Sequence, residues 1–151
     1  MYKRQPVNSP ERLENVPSES AAFNVEALSA PRILGNPDAP IKISEHSSFT
    51  CGACRAFHDV NYQKIKADFI DTGKAYLVFD DFPRNGVDVV VGAVARCVPD
   101  NAYFNFVQLV FNTQDQWSQN RNFADHIKQN AVLAGADAEQ VDQCFDSKEL
   151  R

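Results

Sequence analysis

Residues 45–58 read EHSSFTCGACRAFH, from Glu45 to His58, and hold Cys51 and Cys54 with only Gly52 and Ala53 between them. The pair follows a short apolar run and opens a segment able to be helical. A thiol at a helix N-terminus faces unpaired backbone N–H groups and the positive end of the helix dipole, and both stabilise its thiolate. Cys51 is therefore the expected nucleophile. Cys54, one turn further in, is expected to be shielded and close enough to attack any mixed disulfide that Cys51 forms. Dithiol–disulfide exchange requires this arrangement.

Outward from the pair, Ile41 to His46 sets Ile41 and Ile43 against Lys42 and Ser44, the period-two pattern of a short strand. On the other side a helix is predicted from about Cys51 to Ile70, with Phe57, Val60, Ile65 and Phe69 as its apolar members and Thr72-Gly73 as its stop. A second strand, Ala75 to Phe79, follows at once. Two strands joined by a helix make a right-handed βαβ unit, and this puts the cysteines at the C-terminal edge of a parallel sheet, where sites gather. No glycine-rich cradle or lysine follows the first strand, so a phosphate site is not supported.

Beyond Asp81-Phe82-Pro83 the spacing turns helical. Val87 to Val98, Tyr103 to Phe111, Phe123 to Ala134 and Ala138 to Phe145 each read as a helix, separated by Pro99-Asp100, by the polar stretch Gln114 to Asn122, and by Gly135. The fold class is α/β with an all-α block after the βαβ unit. Cys97 and Cys144 fall in the first and last of these helices. Joined, they imply an oxidising compartment and staple the block at about 4 kcal/mol in the chain-entropy model. Unjoined, they are two buried thiols packed as small hydrophobes.

Before the first strand, Gly35-Asn36-Pro37-Asp38-Ala39-Pro40 is a turn cluster, and Phe23 to Ile33 has scattered apolar residues for an edge strand or a cover over the core. Pro6 to Ser20 lacks the large apolar groups needed to offset its ordering entropy and reads as a tether. Met1 to Gln5, MYKRQ, reads as a cloning or assembly scar. The organisation is thus residues 1–31 as tether, 32–84 as the site-bearing half domain and 85–151 as the helical block.

With 151 residues, 44% of them apolar, the chain can bury a core. Its 15 basic against 20 acidic side chains argue against a nucleic-acid partner. The longest apolar-rich run, Val87 to Val98, is interrupted by Asp88 and Arg96 and too short to span a bilayer, so no membrane insertion is expected.

The order of strand, Cys-x-x-Cys helix, strand and helical insertion resembles the DsbA-like protein disulfide oxidoreductases of the thioredoxin fold. The matching motifs are NPDAPIKI, EHSSFTCGACRAFH, LVFDDFP, and the helical block with ARC and QDQW, over residues 32–146. The resemblance implies that Cys51 attacks and Cys54 resolves. It also implies that Glu45 sits under the site and relays a proton to or from the second cysteine. A carboxylate at the end of a buried strand is desolvated, which suits it to that task. The resemblance further implies a Cys97–Cys144 disulfide, no cofactor beyond the cysteines, and a periplasmic or cell-envelope location. Unfolded or cysteine-containing exported proteins are the implied substrates, with a membrane redox partner for recycling.

Two departures from the family stand out. The Gly52-Ala53 dipeptide lacks the histidine of strongly oxidising members, so a less acidic Cys51 and a less oxidising couple are expected, with His46 and His58 as partial substitutes through space. The family's cis-proline loop, last strands and final helix have no counterpart, so the chain is expected to be an internal piece of a longer exported protein. Two rival readings use the same residues. One is a metal module built on Cys51, Cys54 and His46 or His58, although zinc usually takes four ligands from two knuckles. The other is a non-catalytic surface for unfolded chains made by Phe104, Phe106, Phe111 and Trp117, residues whose helical spacing equally suits a core.

Overall fold

A computed structural model describes residues 24–150 of the chain. The scar, and the tether up to residue 23, lie outside the described residues. Of the remainder of that stretch, Val25–Leu28 forms a short helix, α1.

The sheet has three strands among the described residues: β1 (Arg32–Leu34), β2 (Ile41–Ser47) and β3 (Ala75–Asp81), in the order β1-β3-β2. β3 is central and carries the apolar row Ala75, Leu77 and Phe79, all nearly inaccessible to solvent. β1 adds an antiparallel edge, with Arg32 opposite Phe79, and β2 runs parallel, with Glu45 opposite Phe79 and Ser47 opposite Asp81. The expected βαβ unit is therefore present. The period-two reading of β2 holds, but its inward row is Ile43, Glu45 and Ser47, while Ile41 is 52% exposed. Two polar side chains thus occupy inward positions at the end of the strand, where each needs a partner.

The helical run after the cysteines, α2, covers residues 52–70. It begins as Gly52–Phe57, loosens into a π-helical turn at His58–Tyr62, tightens at Gln63–Ile65 and loosens again at Lys66–Ile70. These wider turns correct the predicted apolar face. Each π turn admits an extra residue and rotates the side chains beyond it about the helix axis. Val60 is consequently 73% exposed and Phe69 44% exposed, and the buried positions are His58, Tyr62 and Ile70. The helix ends in a Schellman motif: the Gly73 amide donates to the Ile70 carbonyl and the Lys74 amide to that of Phe69, with Gly73 at φ 72°.

The remaining helices are α3 (Gly86–Arg96), α4 (Asp100–Asn112), α5 (Gln114–Trp117), α6 (Phe123–Leu133) and α7 (Ala138–Asp146). Asn85 caps α3 by accepting from the amides of Val87 and Asp88. The polar stretch expected to separate two helices is instead partly ordered and buried. α5 lies within it, Trp117 is fully buried, and its indole N–H donates to the Val110 carbonyl at 2.9 Å. One core, including Phe49, Phe79, Tyr103, Phe106, Phe111, Trp117 and Ile127, runs from the sheet into the helical block. The Cys97 and Cys144 sulfurs are paired, with Cα atoms 6.2 Å apart, a separation a disulfide spans readily. No helix among the described residues is long and apolar enough to cross a membrane.

Candidate active site

The last inward positions of β2 lead directly into the Cys51 loop, which is held from three directions. The Cys51 amide donates to the Ser48 carbonyl. From α3, the buried Asp88 carboxylate accepts from the Ser48 hydroxyl at 2.8 Å, the Thr50 amide at 2.7 Å and the Arg84 amide at 2.9 Å. From α5, the Gln114 side-chain amide donates to the carbonyls of Phe49 at 2.7 Å and Cys51 at 3.1 Å. Asp88 and Gln114 thereby satisfy a turn that would otherwise bury unpaired backbone groups.

Cys51 is the N-cap of α2, extended at φ −83° and ψ 116°, and its sulfur accepts from the Cys54 amide at 3.4 Å. Both thiols are free and half-buried. Their acidities are split. Cys51 lies below the ordinary thiol value because the Cys54 thiol donates to its sulfur. The amides of Cys54 and Ala53 and the positive charge of Arg84 add to this, against partial burial. Burial pushes Cys54 up, its bond to Cys51 pushes it further, and bonds from Ser48 and Ser47 offset this in part. Arg84 is steered by its Nε–H, which donates to the Ser48 hydroxyl at 3.2 Å, and beside it Phe82 is 62% exposed.

Beneath the thiols lies a buried polar chain. The Ser47 hydroxyl donates to Glu45 Oε1 at 2.6 Å, and His58 Nε2 meets the same oxygen at 2.7 Å. His58 Nδ1 faces Gln108 Oε1 at 3.2 Å, and the Gln108 amide donates onward to Asn112. Both imidazole nitrogens thus face acceptor oxygens. The ring is clamped between Tyr62 and Phe111, at centroid distances of 4.7 and 4.2 Å. Glu45 Oε2 is buried with no hydrogen-bond partner among the described residues.

Cys51, Cys54 and Glu45 therefore belong to one end of β2 and one helix start. His58 joins them through Glu45. His46 does not: it alternates to the other face of β2 and pairs with the exposed Asp80 at 2.9 Å. No group of three or more His, Cys, Asp or Glu placed to hold a metal occurs among the described residues, so the metal reading lacks a ligand set. Phe106, Phe111 and Trp117 are fully buried, which removes the proposed apolar surface. Ser47, Asp88, Arg84 and Gln114 were not singled out as site residues from the sequence. Each left a trace there: Ser47 in phase with Glu45 on β2, Asp88 as a charge inside an apolar helix, Arg84 right after the Phe82-Pro83 turn, and Gln114 at the head of QDQW.

A family model described as thioredoxin matches residues 28–151. A Rickettsia prowazekii protein whose name includes the words protein-disulfide oxidoreductase is 27% identical over 119 residues, which cover 78% of this chain and 44% of that one. A Bacillus anthracis protein whose name includes disulfide bond formation protein D is 29% identical over 133 residues, covering 83% of this chain and 60% of that one. Among solved structures, the crystal structure of alpha-DsbA1 from Wolbachia pipientis superposes with a TM-score of 0.74 at 31% identity, over 81% of this chain and 62% of that one. The chain thus spans less than half the length of the Rickettsia relative. The architecture anticipated from the sequence, a thioredoxin-like fold with a helical insertion, is the one seen here.

Proposed function

Because the chain belongs to the thioredoxin family, in its DsbA-like branch, we propose that it exchanges disulfides with cysteine-containing proteins through Cys51 and Cys54. The observation that carries this reading is the split acidity of two adjacent thiols at one helix start, Cys51 lowered and Cys54 raised. The more acidic thiol supplies the attacking thiolate and is also the better leaving group.

In the reducing direction, the Cys51 thiolate attacks a substrate disulfide. One substrate sulfur leaves as thiolate and a Cys51–substrate disulfide forms. Cys54, once deprotonated, attacks Cys51. The Cys51–Cys54 bond forms, the second substrate thiolate leaves, and two electrons have passed from the protein dithiol to the substrate. Reversal of these steps oxidises a substrate dithiol. Glu45 serves as the buried carboxylate that takes the Cys54 proton or returns it. With no histidine in Gly52-Ala53, the Cys51 thiolate relies on Cys54, two amides and Arg84, and a less oxidising couple is favoured.

In this reading residues 32–84 carry the chemistry, and residues 85–151 supply Asp88 and Gln114 to hold the loop, braced by a structural Cys97–Cys144 bond. The substrates are unfolded or cysteine-containing exported proteins in the periplasm or cell envelope, with a membrane redox partner for recycling. The test is turnover of a dithiol peptide or of insulin by the 151-residue chain. Cys51→Ser is expected to abolish it, and equal turnover by Cys51→Ser and the parent overturns the proposal.

A further inference from the structure

Glu45 is a buried carboxylate, 8% exposed, and among the described residues the one side chain that can pair with it as a cation is His58. His58 Nε2 lies 2.7 Å from Oε1, and the ring is 1% exposed. The geometry fixes which way these hydrogen bonds run. Oε1 already accepts from the Ser47 hydroxyl at 2.6 Å, so it meets His58 as an acceptor and Nε2 must donate. On the far side of the ring, Nδ1 lies 3.2 Å from Gln108 Oε1, and the Gln108 amide nitrogen is turned away, donating to Asn112 Oδ1 at 2.9 Å. A carbonyl oxygen only accepts, so Nδ1 must donate too. A ring that donates from both nitrogens is an imidazolium. Its two faces stack on Tyr62 and Phe111, and aromatic faces attract a cation.

We propose that His58 carries both ring protons and is the positioning residue that holds Glu45 as a carboxylate ready for the Cys54 proton. The inference rests on Glu45 being the acceptor of that proton. A buried carboxylate with no paired cation is driven to take up a proton, and then has no room for another. With the imidazolium beside it, the trio of Cys54, Glu45 and His58 is neutral before the transfer, as thiol, carboxylate and imidazolium. It is neutral afterwards too, as thiolate, carboxylic acid and imidazolium. The Cys54 thiolate then attacks the Cys51 sulfur. The Cys51–substrate bond breaks, the Cys51–Cys54 bond forms, and the departing thiolate takes a proton from water. Glu45 gives its own proton to water, and the pair with His58 is restored.

The arrangement leaves one oxygen open. Oε1 is held by Ser47 and His58, whereas Oε2 is buried with no hydrogen-bond partner among the described residues. The phenols of Tyr62 on α2 and Tyr103 on α4 also sense the Glu45 charge. Burial pushes both well up, so both stay neutral and neither replaces His58 as the counter-charge.

The experiment first reads the ring. Long-range proton–nitrogen NMR correlations are recorded on the three histidines of the reduced 151-residue chain. The buffer is set at about pH 7.5, where a free imidazole is mostly neutral. Spectra of His46→Gln and His126→Gln assign the other two rings. His58 is expected to show two protonated nitrogens in the parent, and one protonated and one bare nitrogen in Glu45→Gln. A bare nitrogen on His58 in the parent overturns the proposal. The positioning role is then read by mixing the reduced chain with one equivalent of dithiobis-nitrobenzoate and following the coloured thiolate by stopped flow. The first release reports attack by Cys51 and the second reports resolution by Cys54. His58→Gln, which keeps a donor for Oε1 without the charge, is expected to slow the second release by about tenfold or more. Its first release, unchanged, shows that the fold and Cys51 are intact. A second release that is slowed in Glu45→Gln but parental in His58→Gln overturns the role of His58 alone. A parental second release in Glu45→Gln overturns the proton-acceptor reading beneath it, and the proposal with it.

Discussion

His58 Nε2 lies 2.7 Å from Glu45 Oε1, with His58 1% and Glu45 8% exposed. A buried pair of this kind adds little net stability when intact, but losing one partner strands the other. His58→Ala also removes a ring clamped between Tyr62 and Phe111. It is expected to lower stability by about 3–5 kcal/mol, read by urea denaturation of the reduced chain. Glu45→Gln, which keeps an acceptor for His58 and Ser47, should cost clearly less. Equal costs would mean that the Glu45 charge, and not the ring's packing or the mere presence of an acceptor, dominates.

The Cys51 thiol is lowered chiefly by the hydrogen bond from the Cys54 thiol. The pH profile of Cys51 alkylation by iodoacetamide should therefore have its midpoint below the free-thiol value of about 8.5. In Cys54→Ala that midpoint should move up, because the leading donor is gone. A folded-state value depressed below the unfolded one adds stability that is present above the unfolded value and lost as pH falls through the folded one. Relative to Cys51→Ala, the reduced parent should therefore gain in melting temperature as pH rises through this window. A midpoint unmoved by Cys54→Ala would contradict the assignment of cause.

Gln114 joins the helical block to the loop by donating to the carbonyls of Phe49 and Cys51. Gln114→Ala takes the donor from the buried Phe49 carbonyl, at about 1–3 kcal/mol, while the Cys51 carbonyl still accepts from the Arg55 amide. Hydrogen exchange should rise at residues 49–51 and stay unchanged at the centre of β3. Gln114→Glu should be worse than Gln114→Ala, since it sets a carboxylate against two carbonyl oxygens. If exchange in the loop matches the parent in both variants, Gln114 does not pin it.

The paired sulfurs of Cys97 and Cys144 join residues 47 positions apart in sequence. Chain entropy gives their bond about 4 kcal/mol as an upper level. Strong reductant should lower the melting temperature of the parent and leave Cys97→Ala/Cys144→Ala unmoved. A reductant effect of the same size in both would place the redox sensitivity elsewhere.

The regular parts of this chain were legible because they obey simple periods. Ile41 to His46 and Ala75 to Phe79 alternate, Cys51 opens a helix, and Gly73 closes it, so the βαβ unit and the place of the thiols could be read directly. The face of α2 could not. Its two π turns break the 3.6-residue period and leave Val60 and Phe69 exposed. In the sequence His58, four residues past Cys54, reads as a partial substitute through space for the missing histidine, and only the fold brings it to Glu45. Gln114 and Trp117 were hidden for a different reason: their short helix sits in a polar stretch whose composition resembles a connector. Long-range hydrogen bonds such as those from Gln114 to Phe49 and Cys51 leave no periodic signature.

The central claim is that Cys51, held at a helix start, is the sulfur that takes on a partner. It is tested most directly by incubating Cys54→Ser with oxidised glutathione and mapping the adduct by peptide mass spectrometry. The predicted result is one glutathione per chain, on Cys51, stable until reductant is added, with no lasting adduct on the parent because Cys54 displaces it. A Cys54→Ser chain that stays unmodified, or a parent that holds its glutathione as long as the variant does, would contradict the account.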